Sequence, residues 1–226
     1  MAYFKEQFIE DWKKPHLILI ILMVIAQIIL WFLFPDNLLS LITALIGIIY
    51  VAQVARGKSS NYLLGLMSSS LVLYSAFTHS LYGDSMVQIV FFIMNIFGIM
   101  KYAQENVTSV HEVVVLSKNS LIKLFISGIA VWIIGSFILN YLSDPRPIVD
   151  GLTFAIGMLA MYSLAIKYKY NFSFWIASNT IQITLWLLTF YHTGHGGTLG
   201  IMYIMFLINS IYGQFMWNGI KRTRTA

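Results

Sequence analysis

Long apolar runs dominate this sequence: stretches of about 20 residues with hardly a charge recur throughout its 226 residues. A helix rises about 1.5 Å per residue and the hydrocarbon core of a bilayer is about 30 Å thick, so each run is long enough to cross a membrane as a helix. Only 10% of the residues are charged, whereas a soluble domain carries about 25%, so the composition excludes a soluble protein. We predict eight transmembrane spans, at residues 17–34, 38–55, 62–81, 86–103, 121–141, 149–167, 172–191 and 198–219.

The basic residues predict the orientation of these spans. Membrane proteins keep an excess of Lys and Arg in their cytoplasmic loops. With the amino terminus inside, all of the 14 basic residues except Arg146 fall on the cytoplasmic side. We therefore predict a multi-pass membrane protein with both termini in the cytoplasm. The net charge of +5 then reflects topology and attraction to membrane lipid rather than binding of nucleic acid.

Weak internal similarity predicts two copies of a three-helix unit. The similar pairs of segments are 43–47 with 153–157, 61–62 with 171–172, and 97–98 with 212–213. Each unit begins with a helix that runs inward, so the two copies are parallel and one helix must cross between them. The predicted fold is an all-α integral membrane protein with an extra N-terminal helix and a 3+1+3 arrangement of parallel repeats. Its parts are a cytoplasmic segment with the extra helix (1–37), the first repeat (38–103), a cytoplasmic loop with the linker helix (104–148), and the second repeat with a cytoplasmic tail (149–226).

A stripe of polar and aromatic residues predicts a ligand site between the two units. Trp175, Asn179, Gln182 and Trp186 follow one another at spacings of four, three and four, which places them on one helical face. The candidates on other spans are Gln88, Phe91 (or its neighbour Phe92), Asn95, Tyr212, Gln214 and Trp217. Amides flanked by indoles can hold a flat, uncharged ligand that forms hydrogen bonds. The alternative is that the amides join neighbouring helices and the tryptophans anchor the protein at the membrane interface.

Missing residue types limit the chemistry. The chain has no cysteine, and its two histidines in the Gly-rich loop at 192–197 lack a third ligand, so we expect neither a metal nor a cofactor. The predicted spans offer no activated nucleophile, which argues against an enzyme. We also expect no Asp or Glu inside the membrane and find no nucleotide-binding loop, so ion coupling and ATP-driven transport are not expected. A ligand-binding membrane sensor remains an alternative to a transporter.

Several motifs carry a family resemblance. They are Gly57 to Tyr62 with Gly65, Tyr82 to Gln88 with Phe91, Phe92, Asn95 and Gly98, and Asn171 to Asn179 with Trp217. These segments resemble the bacterial nicotinamide riboside transporter family, the Pnu-type vitamin transporters, over about residues 40 to 220. The resemblance implies SWEET-like repeats joined by a linker helix, a homotrimer with one pathway per protomer, and a place in the bacterial inner membrane. It also implies facilitated diffusion (uniport) of a vitamin precursor, nicotinamide riboside first, which a cytoplasmic kinase then traps.

The sequence departs from the family pattern at positions that bear on specificity. Nicotinamide riboside members carry two tryptophans three residues apart, and here the first of them is Phe172 while the second is Trp175. A Trp-rich turn after Gly98 is also replaced by other residues. Deoxynucleosides, thiamine and riboflavin therefore stay open as alternative ligands. Gln88 and Asn179 keep the positions that the family expects.

Overall fold

The computed structural model describes residues 7–8, 12–34, 36–105, 112–220 and 223–225, with only the backbone for 102–105 and 223–225. Long helices account for most of the described chain. They are α1 (Lys14–Leu33), α2 (Leu38–Arg56), α3 (Asn61–Thr78), α4 (Tyr82–Glu105), α5 (Lys118–Tyr141), α6 (Pro147–Ala165), α7 (Asn171–Thr193) and α8 (Gly197–Asn218). Two short strands, β1 (Val113–Val115) and β2 (Thr223–Thr225), complete the elements.

The helix ends follow from local chemistry. The side chain of Asn37 accepts a hydrogen bond from the backbone N–H of Ser40 at 2.8 Å and so satisfies a free donor at the start of α2. The same helix ends at Gly57, whose φ of 64° is readily adopted only by a residue without a side chain. Pro147 occupies the first turn of α6, where its missing N–H costs nothing. Asn37, Gly57 and Pro147 all lie in the gaps between the spans predicted from the sequence.

Six of the described helices are long and apolar enough to cross a membrane, judged by length and composition: α1, α2, residues 82–101 of α4, α5, α6 and α8. The two remaining long helices are more polar, since α3 carries Asn, Ser and Thr and α7 carries Asn, Ser, Thr and Gln. Polar side chains inside a membrane face the protein interior rather than lipid. α3 and α7 therefore have the composition expected of helices that line a cavity.

The two halves of the chain pack in the same way. In each half the three helices contact their sequence neighbours, and the first helix of one half packs on the last helix of the other: α2 on α8, and α6 on α4. A close contact also recurs, since Gly98 faces the ring of Tyr62 and Gly213 faces the ring of Phe172. α5 packs mainly on α6, and α1 packs on α2 and α8.

Side chains of opposite charge gather at the two ends of the bundle. The acidic end holds Asp36, Asp84, Asp144 and Asp150 together with Arg146, and hydrogen bonds among these segments tie it together. The basic end holds Arg56, Lys58, Lys101, Lys167 and Lys169, near the start of α1 and of α5. The charge separation in the structure parallels the one read from the sequence.

Two carboxylates lie where none was expected. The predicted fourth span begins at residue 86 and leaves Asp84 in a loop, but α4 begins at Tyr82. Asp150 already falls within the predicted span 149–167, against the expectation of no acid inside the membrane. Asp84 and Asp150 lie in the first turns of α4 and α6 and are 0% exposed. The helix starts earlier because the carboxylate of Asp150 accepts hydrogen bonds from the backbone N–H groups of Gly83 and Asp84, both at 2.7 Å. The expectation that no acid lies inside a span was therefore wrong for these two residues.

A small sheet at the basic end was not predicted. β1 and β2 pair in parallel, with Val113 opposite Thr223. Val114 also donates its N–H to the carbonyl of Lys167 at 2.9 Å and accepts from the N–H of Lys169 at 2.8 Å. We call this arrangement the clasp. It joins the segment before α5, the segment after α8 and the α6–α7 connection.

Candidate ligand site

A narrow cavity lies between the two halves of the bundle. Residues from α2, α3, α4, α7 and α8 line it, and the space open to the centres of water-sized spheres is about 50 Å³. Its wall is formed by Tyr50, Val51, Val54, Gly65, Ser68, Ser69, Val72, Gln88, Phe91, Asn95, Phe172, Trp175, Ser178, Asn179, Gln182, Tyr203, Phe206, Asn209 and Ser210. Six of the ten candidate site residues therefore lie on one wall surface: Gln88, Phe91, Asn95, Trp175, Asn179 and Gln182.

Two asparagines, one from each half of the chain, line this cavity. Asn179 is 3% exposed and donates its amide to the hydroxyl of Ser210 at 2.9 Å. Asn95 is 1% exposed and donates to the carbonyl of Phe91, one turn earlier, at 2.8 Å. The Oδ1 atom of Asn95 has no hydrogen-bond partner within the described chain. A buried acceptor without a partner is costly, so this atom is suited to a donor on a ligand.

The acidic end of the cavity is closed by a carboxylate and the side chains that bind it. The Oδ1 atom of Asp84 accepts hydrogen bonds from Gln88 at 3.0 Å and Gln182 at 2.8 Å. Its Oδ2 atom accepts from the indole N–H of Trp186 at 3.1 Å. Asp84 thus fixes three of the predicted site residues, Gln88 on α4 and Gln182 and Trp186 on α7.

An aromatic pair borders the cavity. The rings of Phe91 and Trp175 lie 5.5 Å apart at an angle of 56°. The indole N–H of Trp175 has no partner among the residues that the structure describes. The two rings give the cavity an aromatic, apolar boundary next to a donor that a ligand can use, which suits an aromatic ring that carries a polar substituent.

The other four candidates lie off the wall, each for a local reason. Trp186 stands one turn beyond Gln182 and reaches Asp84 from behind while packing edge-on to His79. Tyr212 stacks on His16 of α1, with ring centroids 4.4 Å apart. The remaining two join helix ends, since Gln214 donates to the carbonyl of Lys169 at 3.2 Å and Trp217 packs edge-on against Phe172. Helical spacing identified the face of each residue but not its distance from the cavity.

Several lining residues were not among the site residues predicted from the sequence. Gly65 on α3 lets Asn95 approach so closely that a Cβ atom there would collide with the asparagine side chain. Ser68 and Ser69 lie on the same wall, and the run of serines at 68–70 in an otherwise apolar stretch was the available signal. Asn209 donates to the carbonyl of Val51 at 2.7 Å, while its Oδ1 atom has no partner within the described part of the chain.

The wall is equipped for reversible binding. It combines amides, hydroxyls and aromatic rings, and no three His, Cys, Asp or Glu residues come together to hold a metal ion among the described residues. Such a set can recognise hydrogen-bonding groups and stack on a ring.

Comparison with known proteins gives this cavity its context. The nicotinamide riboside transporter PnuC of Neisseria mucosa is 26% identical over the whole of this chain and 89% of its own length. The transporter of the same name from Haemophilus influenzae is 28% identical over 98% of both chains. A solved structure, described as the crystal structure of the vitamin B3 transporter PnuC, is 25% identical, covers 97% of both chains and superposes with a TM-score of 0.86. The model of the nicotinamide mononucleotide transporter family matches residues 37–219, so this chain belongs to that family and is a membrane transporter rather than an enzyme.

Proposed function

We propose that this protein carries nicotinamide riboside across the membrane and binds it in the cavity between the two halves. The relatives named above are nicotinamide riboside transporters. That molecule has a flat ring, a carboxamide and ribose hydroxyls, which are the groups that the wall can stack on or hydrogen-bond. The observation that carries the proposal is a set of buried polar atoms on the cavity wall that have no partner within the described chain, namely Asn95 Oδ1, Gln182 Oε1 and Trp175 Nε1.

The residues have separate roles in this proposal. Trp175 and Phe91 stack against the nicotinamide ring, and a stacked aromatic pair contributes about 0.5 to 1.5 kcal/mol beyond the area that it buries. Gln88, Asn95, Asn179 and Gln182 recognise the carboxamide and the ribose. Trp186, Tyr212, Gln214 and Trp217 support the helices around the cavity.

A ligand panel tests the substrate. Calorimetry on the purified protein should detect nicotinamide riboside and give weaker or no binding for deoxynucleosides, thiamine and riboflavin. Phe172 replaces a tryptophan of the family pattern on the cavity wall, so these related ligands belong in the panel. Tight binding of one of them without nicotinamide riboside binding would reassign the substrate. Binding without uptake into proteoliposomes would favour a sensor instead.

We also propose that transport is facilitated diffusion. Both oxygens of Asp84 accept hydrogen bonds from amide and indole donors, and no other Asp or Glu of the described residues lines the cavity, so none of them offers a free carboxylate there to a coupling ion. The sequence has no phosphate-binding loop of the ATPase type. Phosphorylation of the product by a cytoplasmic kinase would then keep the substrate inside. A proteoliposome that accumulates substrate in response to a sodium or proton gradient at zero membrane potential would contradict this mechanism.

For the topology we propose eight spans with two parallel three-helix repeats (α2–α4 and α6–α8), a linker helix (α5) and an extra helix (α1). The equivalent packing of α2 on α8 and of α6 on α4, together with the matching glycine contacts, supports the repeats. The basic end then faces the cytoplasm of a bacterial inner membrane and carries both termini. Periplasmic labelling of a tag at the carboxy terminus would overturn this orientation.

We propose a homotrimer as the assembly, on the strength of the family resemblance. The linker helix α5 exposes large apolar side chains, among them Phe125 and Phe137, that must face lipid or a neighbouring subunit. Native mass spectrometry should show three copies, and a monomer would contradict the proposal.

A further inference from the structure

Asp84 is a buried acid without a cationic neighbour. It is 0% exposed, and its three described side-chain partners are the amides of Gln88 and Gln182 and the indole of Trp186. All three partners are N–H donors, so the contacts fit an ionised carboxylate that accepts on both oxygens. No Lys, Arg or His of the described chain forms an ion pair with it.

This carboxylate sets the orientation of both glutamines. A carboxylate only accepts hydrogen bonds, so the NH₂ group of each amide must point at Asp84 and the carbonyl oxygen must point away from it. Gln182 Oε1 is accordingly left without a partner in the described chain, on a residue that lines the cavity and is 3% exposed. The acidic end of the cavity therefore offers a hydrogen-bond acceptor to a ligand.

The neighbouring charges do not neutralise Asp84. The carboxyl group of Asp150 accepts hydrogen bonds from the backbone N–H groups of Gly83 and Asp84 and supplies no positive charge. The basic side chain at the acidic end is Arg146, and its guanidinium donates to the hydroxyl of Thr189 at 2.6 Å. Asp144 accepts from the backbone N–H groups of Tyr82 and Arg146. A buried charge that lacks a counter-charge is costly, and a cation in the cavity would reduce this cost.

We propose that Asp84 is a specificity-determining residue that makes the cavity selective for a positively charged ligand over a neutral one of the same shape. This inference rests on the proposed function: the pyridinium ring of nicotinamide riboside carries a permanent positive charge, whereas its reduced dihydro form is neutral and keeps the carboxamide and the ribose. Asp84 acts as a positioning residue through the two glutamines and as a source of negative potential.

The expected change in affinity depends on the distance between the ligand ring, placed at Trp175, and the carboxylate of Asp84, which binds Gln182. Trp175 and Gln182 are seven residues apart on α7, or about 10 Å along the helix. Two unit charges about 10 Å apart at an effective dielectric constant of about 20 attract strongly enough to change an affinity by a factor of about ten to twenty.

The test compares the affinities of nicotinamide riboside and its reduced form by calorimetry. We expect the wild-type protein to prefer the cation by about tenfold or more. In Asp84→Asn, which keeps the shape and removes the charge, this ratio should fall by about tenfold. The matched control is Asp36→Asn, which removes a charge from the same end at a residue that bonds Gly196 and does not approach the cavity wall. Its ratio should stay at the wild-type value.

The possible outcomes separate the two proposals. A wild-type protein that binds both forms equally well, or an Asp84→Asn variant that weakens both by the same factor, overturns the charge selectivity. Equal binding of the two forms by the wild-type protein overturns the proposal even if the variant does not fold, which its melting temperature without ligand will show. A wild-type protein that binds neither form contradicts the proposed function itself.

Discussion

Asn179 shows how a single side chain can serve both the bundle and the ligand. Its amide donates a hydrogen bond to the hydroxyl of Ser210. Asn179 also lines the cavity, where the rest of its amide group can bind a ligand. Asn179→Ala should weaken binding of nicotinamide riboside about five- to hundredfold, because losing one partner in a buried site costs about 1 to 3 kcal/mol. Calorimetry measures this loss. Asn140→Ala, at an exposed amide of α5, is the control, and loss of binding there instead would identify the stripe as a helix-packing seam.

Gly65 permits a second residue-scale test. A methyl group at this position would collide with Asn95, so Gly65→Ala should displace the asparagine and reduce ligand affinity by about tenfold. At Gly135 on α5 an added Cβ would lie 3.7 Å from the ring of Phe154, an ordinary van der Waals distance, so Gly135→Ala should bind as the wild type does. Equal affinities in the two variants would show that Asn95 does not contact the ligand.

The spacing of residues along the sequence predicted which face of a helix a side chain occupies, but it did not predict how far that side chain lies from the cavity. The period of the stripe on α7 was enough to place Asn179 and Gln182 on one face, and both reach the cavity. The same period included Trp186, which ends behind Asp84 because the cavity stops one turn earlier. Asp84 itself was missed because a Gly-Asp pair next to an apolar run is typical of a turn, and only the distant Asp150 shows why the helix starts there.

Among the elements, α4 depends most clearly on a distant residue for its start. The carboxylate of Asp150 on α6 satisfies two backbone donors that the first turn of α4 would otherwise leave free. Asp150→Ala should lower the free energy of unfolding by about 1 to 3 kcal/mol, with a reduced melting temperature in detergent. Glu112→Ala, at an exposed position, should melt as the wild type does. An unchanged melting temperature in Asp150→Ala would mean that water replaces the cap.

The helices could be predicted from the sequence because turn residues or charged residues separate each apolar run from the next. The ends were displaced by a few residues wherever a cap comes from another part of the chain, as at Tyr82. The clasp could not be read in this way. Its strands are three residues long, and their pairing joins positions more than a hundred residues apart.

For the whole molecule, a carrier of a cation without a coupling ion must respond to voltage. One charge that crosses a membrane gains about 2.3 kcal/mol per 100 mV, so an inside-negative potential of about 60 mV should support about tenfold accumulation. Proteoliposomes with a potassium diffusion potential can measure this with nicotinamide riboside. The neutral reduced form is the control and should only equilibrate. Accumulation that ignores the potential would show that another ion moves with the substrate.

Because of the clasp, the segments at the two ends of the bundle are joined by different kinds of hydrogen bond. At the basic end, backbone ladders through Val114 join three separate segments, whereas at the acidic end carboxylates hold the backbone N–H groups of Tyr82, Gly83 and Asp84. Each conformational opening should therefore release its own set of amides to solvent. Deuterium uptake at Val114 and Lys169 would report opening of the basic end, and uptake at Gly83 and Asp84 would report opening of the acidic end, so the unlabelled protein carries a separate native reporter for each end.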